Sequence, residues 1–155
     1  VRVDHEFPYV PGLLAFREGP AVLGAWDRLE MEPDLVIFDA HGIAHPRGLG
    51  LASQLGIWLE RPAIGVAKSR LFGHHDPPGP QKGSRTPLYA EDEDQTVIGA
   101  VVRTRTDVKP VYVSPGHLID VDAAVELTLA CTPHYRLPEP TRWAHRVADG
   151  ARFNP

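Results

Sequence analysis

Four side chains in this sequence are placed where they could do chemistry together: Glu18, Asp39, Lys68 and His117. Asp39, Lys68 and His117 each stand at or just past the end of a short apolar run, in "LVIFD", "AIGVAK" and "VYVSPGH". In an open α/β sheet, ligands sit at the carboxyl ends of strands. Glu18 follows the apolar stretch from Val10 to Phe16, at a helix start that could face the same edge. Two carboxylates, a lysine and a histidine meeting there suit phosphoryl chemistry on Mg²⁺. Carboxylate oxygens hold the hard cation, the metal polarises the phosphate and activates water, and Lys68 neutralises developing negative charge.

Each residue also has a plainer reading. A strand-end Asp is commonly a turn former, and Lys68 can be a solvated strand end. An acid early in a helix is favoured by the helix dipole, which would leave Glu18 facing water. If Glu18 goes inside instead, it needs a partner or a metal, because an isolated buried carboxylate is costly. His41 and His45 lie four apart in "HGIAHPR", but Gly42 and Pro46 disfavour a regular helix and no cysteine or HExxH frame supports zinc. Pocket lining or hydrogen bonding suits them better. His74 and His75 read as ordinary surface histidines.

The elements that must position these residues follow from apolar periodicity. "PDLVIFDAHG" is a continuous apolar run from Leu35 to Phe38 that stops at Asp39, as a buried parallel strand does. "GLASQLGIWLE" places Ala52, Leu55 and Leu59 at helical spacing, and "RPAIGVAKS" is a second short run ending in Lys68. Strand, helix, strand implies a right-handed crossover with parallel pairing. Val22, Trp26 and Leu29 mark an amphipathic helix after Gly19-Pro20. From Gly73 to Gln95 the chain is polar and rich in Pro and Gly, which predicts a surface loop. "TVIGAVVRT" and "KPVYVSPGH" predict a strand hairpin through Asp107, and "DVDAAVELTLACT" a helix capped by Asp120 or Asp122. A last short helix follows the prolines of "RLPEPTRWAH". Alternation at Val1, Val3 and His5 suggests an opening strand whose partner lies upstream.

The 155 residues suit a single α/β domain, 43% hydrophobic and 23% charged, as in a soluble globular protein. No apolar run reaches the roughly 20 residues of a membrane span, so no membrane partner is expected. Cys131 is the only cysteine, which excludes an intrachain disulfide and points to a reducing, cytoplasmic setting. A net charge of -4 argues against coating nucleic acid by bulk electrostatics. Local attraction stays open, because between His41 and Phe72 four cations, Arg47, Arg61, Lys68 and Arg70, stand against Glu60 alone, while "EDED" at Glu91 to Asp94 concentrates acid elsewhere.

The blocks "PYVPGLLAFREGP", "FDAHGIAHPRGLGLAS", "IGVAKSRL", "VYVSPGH" and "LPEPTRWAH", in this order, resemble the endonuclease V family of deoxyinosine-directed nucleases. The resemblance runs from Phe7 to His145 and implies an RNase H-like fold: a mixed central sheet flanked by helices. It implies Glu18 and Asp39 as metal ligands, and Lys68 and His117 as catalytic-site residues. Glu18 would then be a buried carboxylate held by Mg²⁺, for which Mn²⁺ can stand in. Pro8, Tyr9, Val10 and Pro11 would form a wedge in the damaged strand, with Tyr9 filling the space of an extruded base. The base would enter a pocket built around Gly12 and Leu14, with Gly42, His45 and Gly65 nearby, glycines permitting close backbone approach.

The implied activity is that of a DNA-repair endonuclease. It hydrolyses the second phosphodiester on the 3′ side of deoxyinosine and leaves 3′-hydroxyl and 5′-phosphate ends. The expected partner is DNA containing deoxyinosine, with inosine in RNA left open, and the expected state is a monomer. One departure stands out. The family's first metal-binding aspartate lies well upstream of "FPYVPG", and Asp4 is not in its context, so the chain reads as truncated at its N-terminus. The alternative is therefore an inosine-binding module that does not cleave; spacing alone would have supported no more than a phosphate-handling α/β domain.

Overall fold

The computed structural model describes residues 7–8, 10 and 13–151. The strand expected over Val1 to His5, and Tyr9, Pro11 and Gly12, lie outside the described residues. Helix α1 spans Leu14–Trp26, strand β1 Val36–Phe38, helix α2 Leu51–Leu59 and strand β2 Ala63–Ala67. Strands β3 (Arg85–Tyr89), β4 (Val97–Val102) and β5 (Val111–His117) follow, then helices α3 (Val121–Ala130) and α4 (Glu139–Ala148). The five strands form one mixed sheet in the order β1-β2-β5-β4-β3.

The expected crossover is present. β1 and β2 run parallel, with Phe38 opposite Gly65, and α2 connects them. Alternation along the strands sends Phe38 and Ala63 to one face, where they pack with Ala15 of α1 and Ala52, Leu55 and Leu59 of α2. Ile37, Ile64 and Val66 point to the other face and join Val102, Val111, Val113 and the α3 residues Ala124 and Val125. Helices thus cover both faces, as a parallel pair requires. α3 opens on Asp120, whose side chain accepts the Ala123 N–H at 2.8 Å. Of the two caps the sequence left open, Asp120 holds the position. The hairpin between β4 and β5 passes through Asp107, at φ 58°.

Two expectations are corrected. α1 begins at Leu14, before Gly19-Pro20, so Pro20 lies inside the helix. Proline removes a helical hydrogen bond and crowds the preceding turn. Packing outweighs this: a β-carbon on Gly19 would sit 2.8 Å from the Trp58 ring, and Leu14, Val22, Leu23 and Trp26 all pack against the α2 cluster. The stretch from Gly73 to Gln95 is not all loop, because it contains β3. β3 is an edge strand and needs to donate hydrogen bonds on one side only, which lets Pro87 sit within it.

Candidate active site

Asp39 and Lys68 leave the sheet side by side. Each follows the last residue of a parallel strand, β1 or β2, and both strands end at the same edge. Lys68 Nζ donates to Asp39 Oδ2 at 2.5 Å, with the two side chains 46% and 44% exposed. An ion pair this exposed contributes only about 0–1 kcal/mol to stability. Its significance is therefore where it places an ammonium and a carboxylate.

The chain after Asp39 turns flat across the sheet, and glycine makes this possible. A β-carbon on Gly42 would lie 1.9 Å from the Pro115 carbonyl oxygen, and one on Gly65 would lie 2.5 Å from the Gly42 nitrogen. Gly42 N–H donates to the buried Ser114 hydroxyl at 2.8 Å and Ile43 N–H to the Pro115 carbonyl at 2.8 Å. The loop is stitched to β5, across β2, and cannot drift from it without breaking buried hydrogen bonds.

Beside the ion pair lies a cavity of about 350 Å³, within the size range of small-ligand sites. Val10, Leu14 and Leu51 give it apolar walls, and Asp39, His41, His45, Lys68 and Arg70 give it polar ones. His41 and His45 thus line a pocket in a segment without helix, as their spacing around Gly42 and Pro46 suggested. His45 is buried, and its Nδ1 accepts the Arg47 N–H at 3.2 Å, so in the neutral ring the proton sits on Nε2. Burial, with the Arg47 charge adding to it, holds the His45 pKa below its ordinary value. Burial also lowers the pKa of His41; hydrogen bonding to the Ser69 backbone opposes this and the charge of His45 adds to it.

The sequence-derived residues divide sharply. Asp39, Lys68, Leu14, His45 and Val10 meet at this cavity, while Gly42 and Gly65 lie behind it as close-packed backbone. Pro8 is exposed. Glu18 is not buried: it is exposed on α1, four residues past Leu14 and on the same helix face. It needs no compensating partner to be stable there. His117 does not join the others. It pairs with Ala63 at the start of β2, five residues from Lys68, or about 16 Å along a strand. Its β-carbon lies where one on Gly56 would come within 2.6 Å, so that atom packs against α2 while the residue as a whole is half-buried. The reason is strand direction: β5 runs antiparallel to β2, and its carboxyl end falls at the opposite edge.

Ser69 and Gln54 also line the cavity without having been singled out in the sequence, and Arg70 lines it after entering only as one of four cations in a basic stretch. Arg70, two residues past Lys68, could have been found from the same strand end. Arg136 had no local signal, yet its guanidinium donates to the Lys68 carbonyl at 2.8 Å from a loop 68 residues away.

Residues 1–146 match the endonuclease V family model. The chain belongs to the endonuclease V family. It is 53% identical over 150 residues to endonuclease V of Myxococcus xanthus, covering 97% of this chain and 63% of that protein. The Kosmotoga olearia endonuclease V is 52% identical over 147 residues, covering 95% of this chain and 64% of that one. The chain therefore spans a little under two thirds of the length of these relatives. Among solved structures, endonuclease V of Streptomyces avermitilis superposes with a TM-score of 0.86 at 50% identity, over 92% of this chain and 61% of that one. Endonuclease V of Ciona intestinalis, solved with a 24-mer DNA containing an inosine followed by a ribo-adenosine, gives 0.78 at 26% identity, over 95% and 70%. The mixed sheet with helices on both faces is accordingly the RNase H-like fold of this family. No helix among the described residues is long and apolar enough to cross a membrane.

Proposed function

We propose that the protein is a DNA-repair endonuclease that recognises deoxyinosine and hydrolyses the second phosphodiester bond on its 3′ side, leaving 3′-hydroxyl and 5′-phosphate ends. The observation that carries this reading is the Asp39–Lys68 pair on the wall of a base-sized, partly apolar cavity, in a chain of the endonuclease V family. The Ciona relative solved with inosine-containing DNA supports the choice of substrate.

Asp39, exposed at the cavity, and Glu18, exposed on the Leu14 face of α1, are the carboxylates that would hold Mg²⁺, an ion that takes one or two carboxylates and keeps waters and phosphate oxygens as its other ligands. When bound, the ion supplies Lewis-acid polarisation of the phosphate and a lowered pKa for the attacking water. Lys68 presents a positive charge to the same phosphate as negative charge builds on it. His45, neutral with Nε2 protonated, offers a hydrogen-bond donor to an acceptor on a purine edge. Leu14, Leu51 and Val10 supply apolar surface for the ring of an extruded base. A weakly paired inosine is cheaper to flip than a paired adenine, and this adds to the selectivity of the pocket.

The test is cleavage of a labelled duplex carrying one deoxyinosine, beside an all-standard duplex, in Mg²⁺ and in EDTA. Mg²⁺-dependent nicking confined to the second bond 3′ of inosine is expected. Inosine-selective binding with no nicking would make the protein a binding module, and equal treatment of the two duplexes would overturn the substrate.

A further inference from the structure

The Arg136 guanidinium is committed to main-chain carbonyls. Nε donates to the Lys109 carbonyl, and Nη2 donates to both the Lys68 and the Pro110 carbonyls, each at 2.8 Å. The location gives these bonds their meaning. The ladder between β2 and β5 ends with Ala67 opposite Tyr112, so Lys68 is the first residue beyond it and has no rung there. Arg136 takes over where the ladder stops, tying Lys68 to the two residues that lead into β5.

The arginine is itself held. Its own carbonyl accepts the hydroxyl of buried Thr104 at 2.6 Å, and Lys82 Nζ donates to the carbonyls of Thr132 and Pro133 at 2.8 and 3.1 Å in the same loop. Electrostatics does not explain the placement, because a second cation beside Lys68 is repulsive. The planar fork does, since it serves several acceptors at fixed angles, which a lysine ammonium cannot reproduce.

We propose that Arg136 is a positioning residue: by fixing the Lys68 main chain it aims the Lys68 ammonium at Asp39 and so at the reacting phosphate. The activity part of this inference rests on the function proposed above; the positioning part does not.

The experiment compares wild type with Arg136→Lys and Arg136→Gln by thermal melting, by NMR of ¹⁵N-labelled lysine side chains, and by single-turnover nicking of the inosine duplex. Lys68→Arg assigns the Lys68 Nζ signal, and Asp39→Asn gives its position when the carboxylate partner is lost. In both variants the Lys68 signal should move toward that position, while the maximal single-turnover rate falls about 10- to 100-fold and the half-saturating concentration stays within about twofold, as for a displacement near 1 Å. Arg136→Lys keeps the charge, so failure to restore the wild-type signal points to the fork. An unmoved Lys68 signal in whichever variant retains the wild-type fold overturns the inference. If wild type does not nick inosine DNA, the proposed function falls, and the Lys68 signal still decides the positioning role.

Discussion

The parallel pair β1 and β2 has two ends that share the same strands and behave oppositely. At the carboxyl end, Asp39 and Lys68 are half exposed, the following loop is stitched down by buried hydrogen bonds, and a cavity opens beside it. At the amino end, Ala63 and His117 close against Gly56 of α2 with no room for a further carbon. One end keeps polar groups available at little gain in stability; the other gives up access for packing. Being near the end of an apolar run does not distinguish them, because an antiparallel neighbour delivers its own carboxyl end to the closed side.

The sharpest way to break this contrast is to remove one residue from each end. Asp39→Asn and Lys68→Met should each abolish or nearly abolish Mg²⁺-dependent nicking, by about 10²-fold or more for the loss of charge stabilisation at Lys68. Affinity for inosine DNA should survive in both. His117→Ala should leave the rate per folded molecule within about threefold, because its β-carbon, the atom packed at the Gly56 contact, is kept. Single-turnover rates normalised to folded protein measure both. A loss at His117 equal to that at Lys68 would mean that the two ends are functionally joined in a way the strand register does not show.

A second pair of substitutions separates packing from chemistry. Gly56→Ala puts a β-carbon 2.6 Å from that of His117 and 2.7 Å from that of Ala63. Overpacking of this kind costs about 1–3 kcal/mol, partly offset by the better helix propensity of alanine. Gly65→Ala meets backbone on the cavity side, 2.5 Å from the Gly42 nitrogen and 2.7 Å from the Ala40 carbonyl oxygen. Backbone cannot swing aside as a side chain can, so the loop after Asp39 must lift. Urea unfolding should show both variants destabilised, whereas nicking per folded molecule should fall only in Gly65→Ala.

How much of this was legible in the sequence depended on whether the deciding force was local. The β1–α2–β2 crossover could be read because continuous apolar runs and a helical period are written in neighbouring residues. The α3 cap could be narrowed to Asp120 or Asp122 because the N–H it accepts lies three positions on, and the Asp107 turn could be read because it falls between two apolar runs, although the Asp107 N–H itself is held by the distant Pro80 carbonyl. The start of α1 could not, because burial against Trp58, almost forty residues on, outweighs Pro20. β3 was hidden by Pro87, whose tolerance depends on a strand order fixed only after folding. The strand ends suggested that Asp39, Lys68 and His117 converge; Asp39 and Lys68 do meet, whereas the placement of His117 at the opposite edge and the reach of Arg136 to Lys68 follow from tertiary pairing, which single-sequence periodicity does not encode.

The smallest expected effect sharpens the open end further, through its pH dependence. Burial first, and then the Arg47 charge, hold the His45 pKa in the folded protein below its ordinary value of about 6.5. Between the folded value and 6.5 the unfolded chain binds more protons than the folded one, so stability rises with pH across that window. Above about 6.5 both states are neutral and this contribution is flat. As pH falls through the window, folding must increasingly keep neutral a ring that the unfolded chain would protonate, and the cost levels off below the folded pKa. His45→Gln keeps polarity without the titration. Urea unfolding from pH 7.5 down to 5.5 should therefore show a shallower loss of stability in the variant than in wild type. An identical slope would mean that the imidazole takes up a proton in the folded protein as readily as in the unfolded chain, and the neutral Nε2 donor assigned to base recognition would lose its support.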